Sequence, residues 1–224
     1  MKVLNSLFIA GLLAGSQVFG ADGYEVDSVS FPEDMPVEVG AVDFAENGDL
    51  YLAIRRGDIL IAKPKDDPKA FEWRHFASGF HNPCGIYIVA PGHVIIAQMA
   101  ELTEVKDTDG DGVADEYTAL ATEFGLSGNY HETMDICPDG QGGLYLAPGT
   151  ASHNGPTFTT PRGPFKDGGR VGRNYASVKW RGWVLHWQPG KELRPVSSGY
   201  RMHNGIERSP KGDIWCGDNQ GDWR

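Results

Sequence analysis

Apolar and polar positions alternate through four stretches of the chain, and the four keep register with one another. They are 41–53 (AVDFAENGDLYLA), 85–97 (GIYIVAPGHVIIA), 133–147 (TMDICPDGQGGLYLA, two residues longer) and 205–217 (GIERSPKGDIWCG). Turn-forming residues occupy the middle of each, so each predicts two short strands joined by a tight turn. Their starts lie 44, 48 and 72 residues apart. The first two intervals match the period of a four-stranded propeller blade, and the third is long because 152–175 reads as an insertion. Further strand candidates, 57–63 and 72–76, 102–105 and 116–121, then 178–188 and 192–198, supply the outer strands of three blades. The pattern predicts an all-β fold, a β-propeller of four-stranded blades with about four blades represented and the last cut after two strands.

In a propeller the loop that leads into each innermost strand opens onto the central channel at one face. Two residues before each of the last three repeats stand Pro83, His131 and His203, and four before it His81, Asn129 and Arg201. These positions are expected to converge on one axial pocket, the place where a small-molecule site belongs.

The ends of the chain refine the picture. Residues 1–20 carry Lys2, an apolar run from Leu7 to Ala14 and small residues before a polar 21–23. That order predicts a secretory signal peptide whose apolar run is too short to span a bilayer. The domain then runs over 21–224, exported to the periplasm or secreted, with no later membrane span. Removing Lys2 with the leader takes the net charge from −10 to −11, which leaves no electrostatic footprint for nucleic acid. Thirty glycines and 14 prolines suit many short strands joined by turns. Cys84, Cys137 and Cys216 allow at most one disulfide, and no Cys-x-x-Cys-His is present to attach a c-type haem.

One loop carries metal chemistry. In 107–118, Asp107, Asp109, Asp111 and Asp115 fall at positions one, three, five and nine, with glycines that permit a tight wrap. This spacing points alternate oxygens inward toward a hard cation such as calcium. Position twelve is Thr118, where a bidentate Glu completes an EF-hand, and the flanks read as strands, so the expected ion is structural. The insertion 152–175 is rich in Gly, Pro and Arg, lacks periodicity, and is expected to be an ordered surface loop or a lid.

The His131 hairpin before its Pro-Asp-Gly turn, the run Gly199-Tyr-Arg-Met-His-Asn-Gly-Ile206, and the closing Asp218-Asn-Gln-Gly-Asp-Trp223 resemble the quinoprotein glucose/sorbosone dehydrogenase superfamily. The acidic loop and Gly-Asn-Tyr-His add a resemblance to the large exported PVC-type membrane-bound dehydrogenases, which continue into a helical region and a c-type cytochrome domain. The resemblance implies a six-bladed propeller of which this chain is the N-terminal portion. It also implies pyrroloquinoline quinone (PQQ) with calcium as cofactors, and a sugar or other alcohol as substrate. By similarity His131 matches the general base, Arg201 an arginine that contacts PQQ, with His203 and Asn204 beside it. Gly221 and Asp222 match the segment that binds the catalytic calcium. Two positions depart from the pattern: Thr150 stands where an Asp orients the base, and Met202 where an Asn adjoins the arginine. A second class of function, a non-catalytic calcium-stabilised propeller that binds glycan or protein partners through the same face, fits the same residues.

Overall fold

The structure is a computed structural model, and residues 26–32, 35–125, 133–150 and 179–219 are described. Three four-stranded antiparallel sheets and one two-stranded sheet make up the fold of the described residues. Blade 1 runs β1 (Val39–Phe44), β2 (Leu50–Ile54), β3 (Asp58–Ala62) and β4 (Trp73–Ser78), and a 3-10 turn, Pro68–Ala70, bridges its last two strands. Blade 2 runs β5 (Gly85–Ala90), β6 (His93–Ala97), β7 (Leu102–Lys106) and β8 (Glu116–Ala121). Blade 3 holds β9 (Thr133–Pro138), β10 (Leu144–Pro148), β11 (Trp183–Trp187) and β12 (Arg194–Ser198), and blade 4 holds β13 (His203–Arg208) and β14 (Ile214–Asp218). Each sheet keeps strict sequence order, as an up-and-down blade does. Among the described residues no helix is long and apolar enough to cross a membrane.

The four predicted repeats are the inner hairpins β1–β2, β5–β6, β9–β10 and β13–β14. Local chemistry closes the turns. The Asn47 carboxamide accepts from the Asp49 amide and Gly48 takes φ 84°. The Asp139 carboxylate accepts from the amides of Gln141 and Gly143. Ser209 Oγ accepts from the Asp213 amide. Outer strands fall close to their predicted places, but β11 begins only at Trp183. Trp180, at a left-handed φ of 67°, turns the chain just before it, with its ring packed edge-on to Trp183.

First strands sit side by side, β1 by β5, β5 by β9, and β9 by β13, so they ring the axis. Second and third strands are largely buried, in blades 2 and 3 between the blades on either side, and in blade 1, where all five residues of β2 are buried, between blade 2 and a cover of Phe31, Met35, Val37, Phe71 and Trp73. Between blades 1 and 2, Tyr51, Ile59, Ile61 and Phe76 meet Ile86, Val94 and Ile96. Between blades 2 and 3, Ile95, Leu102 and Phe124 meet Ile136, Leu144, Leu146 and Leu185. Cys137, Ala147 and Val184 of blade 3 meet Ile206 of blade 4, and partly buried Cys216 packs against them. Cys84, Cys137 and Cys216 form no disulfide with one another. Burial pushes the Cys137 thiol up to about 12 and the Cys216 thiol up to about 11, so both behave as apolar packing groups.

Blades 1 and 2 approach closely near the loop that leads into β5. A Cβ on Gly40 would run into the Pro83 carbonyl oxygen, which is backbone and cannot swing aside. Gly40→Ala is expected to force blades 1 and 2 apart and destabilise the protein by about 1–3 kcal/mol. Urea denaturation checks this, and a variant as stable as the parent would show that the two backbones yield freely.

Candidate active-site face

Among the described residues, the loops that lead into β5 and β13 open on one face of the propeller, and Arg201 stands there. Asp218, at the end of β14, accepts from the amides of Arg201 (3.1 Å) and Met202 (2.9 Å). The Arg201 carbonyl accepts from both the amide (2.8 Å) and the hydroxyl (2.9 Å) of Thr150. With its backbone pinned from two blades, the partly exposed Arg201 side chain donates from Nη1 to the Asn219 carbonyl at 3.1 Å. Its Nε is buried with no hydrogen-bond partner among the described residues. A guanidinium held by one carbonyl in this way, with no carboxylate of the described residues in an ion pair with it, suits an anionic group. Thr150 stands where the resemblance puts a base-orienting Asp, and its hydroxyl is engaged with the Arg201 carbonyl.

His203 lies inside β13 rather than in the preceding loop, paired across the ladder with Asp218. It is fully buried beneath the Tyr200 ring, 4.4 Å between centroids, and neither ring nitrogen has a hydrogen-bond partner among the described residues. Burial lowers its pKa to about 4, with the Asp218 charge opposing the shift, so it is a neutral imidazole at physiological pH. Asn204 follows as an exposed residue of β13. His131, Gly221 and Asp222, along with Asn129 and the 152–175 insertion, lie outside the described residues.

A second cluster joins blades 2 and 3 on the same face. Arg181 is fully buried and donates to the carbonyls of Gly125 and Met99, and the Thr133 hydroxyl donates to that same Met99 carbonyl. The Met99 amide in turn donates to the carbonyl of His81, whose own amide donates to the Gln98 side chain. His81 itself stays exposed. The contacts therefore form two groups, Arg201–Thr150–Asp218–Asn219 and His81–Gln98–Met99–Arg181. Sequence alignment of the repeats anticipated Arg201 and His81 as members of this face, but not the buried Arg181.

Asp135 on the axis was also not anticipated. It holds a left-handed φ of 77°, uncommon for a residue other than glycine. Its amide donates to the Cys84 carbonyl (2.9 Å), and its Oδ2 accepts from the Ile206 amide (3.2 Å), so it clasps three inner strands together. Burial is the main reason its carboxyl titrates above the usual aspartate range; the Ile206 and Ile136 amides oppose the shift, and the charges of Glu207 and Asp43 reinforce it. Asp43, Asp135 and Glu207 share the third position of their repeats, and this recurrence of carboxylates was the available signal.

The acidic loop lies at the rim, away from this face. Asp107, Asp109 and Asp111 bring one carboxylate oxygen each within 4.8 Å of one another. Like charges so close repel by roughly 1 kcal/mol per pair in water, which a divalent cation would reverse. Asp115 is instead held by Thr108, whose hydroxyl (2.7 and 2.9 Å) and amide (3.0 Å) keep its carboxyl below the usual range. The loop also docks onto blade 1: Arg74 donates to the Gly112 carbonyl at 2.7 Å and the Ala114 amide to the Phe76 carbonyl at 2.7 Å.

A family profile matches residues 21–223 under the description "Domain of unknown function (DUF7133)". The chain belongs to this family. No curated protein matches it. Solved structures similar to this DUF7133 chain include the holo form of the PQQ domain of pyranose dehydrogenase from Coprinopsis cinerea, at 12% identity and a TM-score of 0.58. That match covers 80% of this chain and 42% of the other. A Trichoderma reesei protein of carbohydrate-active enzymes family AA12 matches at 13% identity and a TM-score of 0.64, over 90% of this chain and 50% of its own. A Thermus thermophilus protein described as an oxidoreductase (glucose dehydrogenase) matches at 17% identity and a TM-score of 0.52, over 80% of this chain and 56% of its own. The chain thus spans about half the length of these structures. At such identities the likeness shows the fold, a β-propeller.

The buried His203 generates a prediction about pH. Its native pKa of about 4 lies below the ordinary 6.5, so between these values the unfolded chain binds the extra proton. The stabilisation is fully present above pH 6.5 and is lost as pH falls toward 4, by roughly 3 kcal/mol in all. His203→Phe, which keeps a ring against Tyr200, is expected to flatten this part of the profile and to leave stability at pH 7 unchanged or higher. Denaturant midpoints measured from pH 7.5 to 4 check it; an unchanged slope in the variant would show that other groups set the profile.

Proposed function

We propose that this chain is part of an exported quinoprotein-like dehydrogenase that oxidises sugars or other alcohols and passes the electrons to a c-type cytochrome. The observation that carries the reading is Arg201. It is a cation fixed by Asn219, Thr150 and Asp218 on the loop face of a propeller, with a buried Nε–H that no described residue engages. PQQ, which bears three carboxylates, fits beside such a group, and when bound it supplies a two-electron acceptor for the carbon–hydrogen bond of an alcohol. Names attached to the structures of the same fold, a PQQ domain and a glucose dehydrogenase, support this reading.

In this reading Arg201 orients the anionic cofactor, with His203 and Asn204 behind it on β13, and the imidazole of His131 takes the substrate hydroxyl proton. Calcium binds at two places: Asp107, Asp109 and Asp111 hold a structural ion that ties the loop to blade 1, joined by Asp115 once its carboxylate leaves Thr108, and Gly221 and Asp222 hold the ion of the cofactor site. Residues 1–20 direct export and are removed.

Thr150 favours the second reading, a non-catalytic calcium-stabilised propeller that binds glycan or protein partners. A hydroxyl committed to the Arg201 carbonyl cannot hold an imidazolium by charge.

The two readings part on cofactor binding and turnover. Titration of the calcium-loaded full-length protein with PQQ is expected to show binding that Arg201→Gln weakens. Turnover of a sugar and alcohol panel with an artificial acceptor is expected to fall about 10²- to 10⁴-fold in His131→Gln. Absence of PQQ binding by the full-length protein would leave the binding module as the function. For the rim loop, calcium at about 100 times its dissociation constant is expected to stabilise the fold by about 2.7 kcal/mol. Asp109→Asn combined with Asp111→Asn is expected to abolish that gain, and a melting temperature indifferent to calcium and chelator would remove the ion from the loop.

A further inference from the structure

We propose that Arg181 is a positioning residue, a buried clamp that holds both ends of the segment carrying His131; the role rests on His131 as proton acceptor in the proposed function. The turn that presents Arg181 is strained. Trp180 has φ 67° and Gly182 φ 75°, so a left-handed residue stands on each side of it. Such a backbone is uncommon for a bulky residue like Trp, persists where its surroundings over-determine it, and gathers at functional sites. Here the surroundings are plain. The Trp180 ring packs edge-on to Trp183, the Gly182 amide donates to the Pro148 carbonyl, and the Gly182 carbonyl accepts from the amides of Gly199 and Tyr200. Between them Arg181 is turned inward and fully buried.

Its acceptors define what it holds. Nε and Nη2 donate to the Gly125 carbonyl at 3.1 and 2.8 Å, and Nη2 also donates to the Met99 carbonyl. The Thr133 hydroxyl donates to that same Met99 carbonyl at 3.2 Å. Gly125 is the last described residue before His131 and Thr133 the first after it, so the chain leaves one anchor at 125 and returns to the other at 133. Both anchors meet at one oxygen. Met99 in turn takes its place from the entry loop of blade 2, its amide donating to the His81 carbonyl at 2.9 Å. A guanidinium is a rigid planar fork of five donors, so it fixes two carbonyls relative to one another, which the single nitrogen of a Lys does poorly. A general base works only within hydrogen-bond reach of the proton it takes, and small misplacements are costly to rate. The separation of the two ends of its segment is therefore a quantity on which the reaction depends, and Arg181 sets it.

Hydrogen exchange of the full-length protein tests the clamp without turnover. Arg181→Met is expected to speed exchange of the amides from 126 to 133 by at least about 10-fold, the worth of one lost charged hydrogen bond, with blade 1 and the group around Arg201 exchanging as in the parent. Arg181→Lys and Thr133→Val serve if the Met form does not fold, and the second cuts the other anchor with Arg181 left in place. Because both anchors act through one carbonyl, Arg181→Lys combined with Thr133→Val is expected to loosen the segment by less than the sum of the single effects. Assayed on sugars and alcohols with an artificial acceptor, Arg181→Lys is expected to lower kcat roughly 10²-fold and to keep the parent's KM and affinity for PQQ. Unchanged exchange from 126 to 133 would overturn the proposal, as would exchange raised evenly across blades 2 and 3, or parental kcat in a variant whose segment has loosened. A parent that turns over no substrate removes the dehydrogenase reading alone, and the exchange measurement then decides the clamp by itself.

Discussion

Face-to-face packing of twisted four-stranded sheets is the constraint on which the rest of this protein depends. A blade's middle strands are apolar on both faces, so no blade can satisfy itself; each must be covered on both sides, as blade 1 is by blade 2 and by Phe31, Met35 and Val37. Burying Ile, Leu, Tyr and Phe from both sides contributes about 1.5–3 kcal/mol per side chain, against about 0.5–1.5 kcal/mol for an ordinary hydrogen bond. The inner strands are drawn together around an axis as a result, and the loops that lead into them are brought to one face. The candidate site is a by-product of that packing.

The polar groups that sit within this apolar frame are correspondingly informative. Arg181 resolves its burial by donating to the carbonyls of Met99 and Gly125, and so stitches blade 2 to blade 3. Asp135 does the same at the axis with the Ile206 and Ile136 amides, at the expense of a left-handed backbone and a carboxyl that resists ionisation. His203 has no such partners, and its neutral imidazole is the least compensated polar group among the described residues. Arg201 is a partly exposed cation whose guanidinium donates to the Asn219 carbonyl, and there it can meet a ligand. The acidic rim loop is separate again. Its backbone docks on β4 through Arg74 and Phe76 while three carboxylates crowd one another, an arrangement whose natural complement is a cation.

The sequence by itself determined the repeating architecture, because alternation of period two with Gly, Asn, Asp and Pro at the turns reflects local backbone geometry and one-sided burial. The four hairpins, the outer strands and the propeller class were all legible, as was the crowding of Asp107, Asp109 and Asp111, whose spacing is short-range. Only the tertiary structure decided what depends on long-range placement. That Asp115 turns to Thr108 is a choice between competing partners that spacing cannot rank. His203 entered the strand because Asp218, across the hairpin, captures the amides ahead of it, and Arg181 is buried because distant segments supply it with two carbonyls. Trp215 and Phe44 read in sequence as ordinary apolar positions of alternating strands. Their exposure follows from where they stand, on the two end faces of an arc, since an apolar residue is buried only if some other surface arrives to cover it.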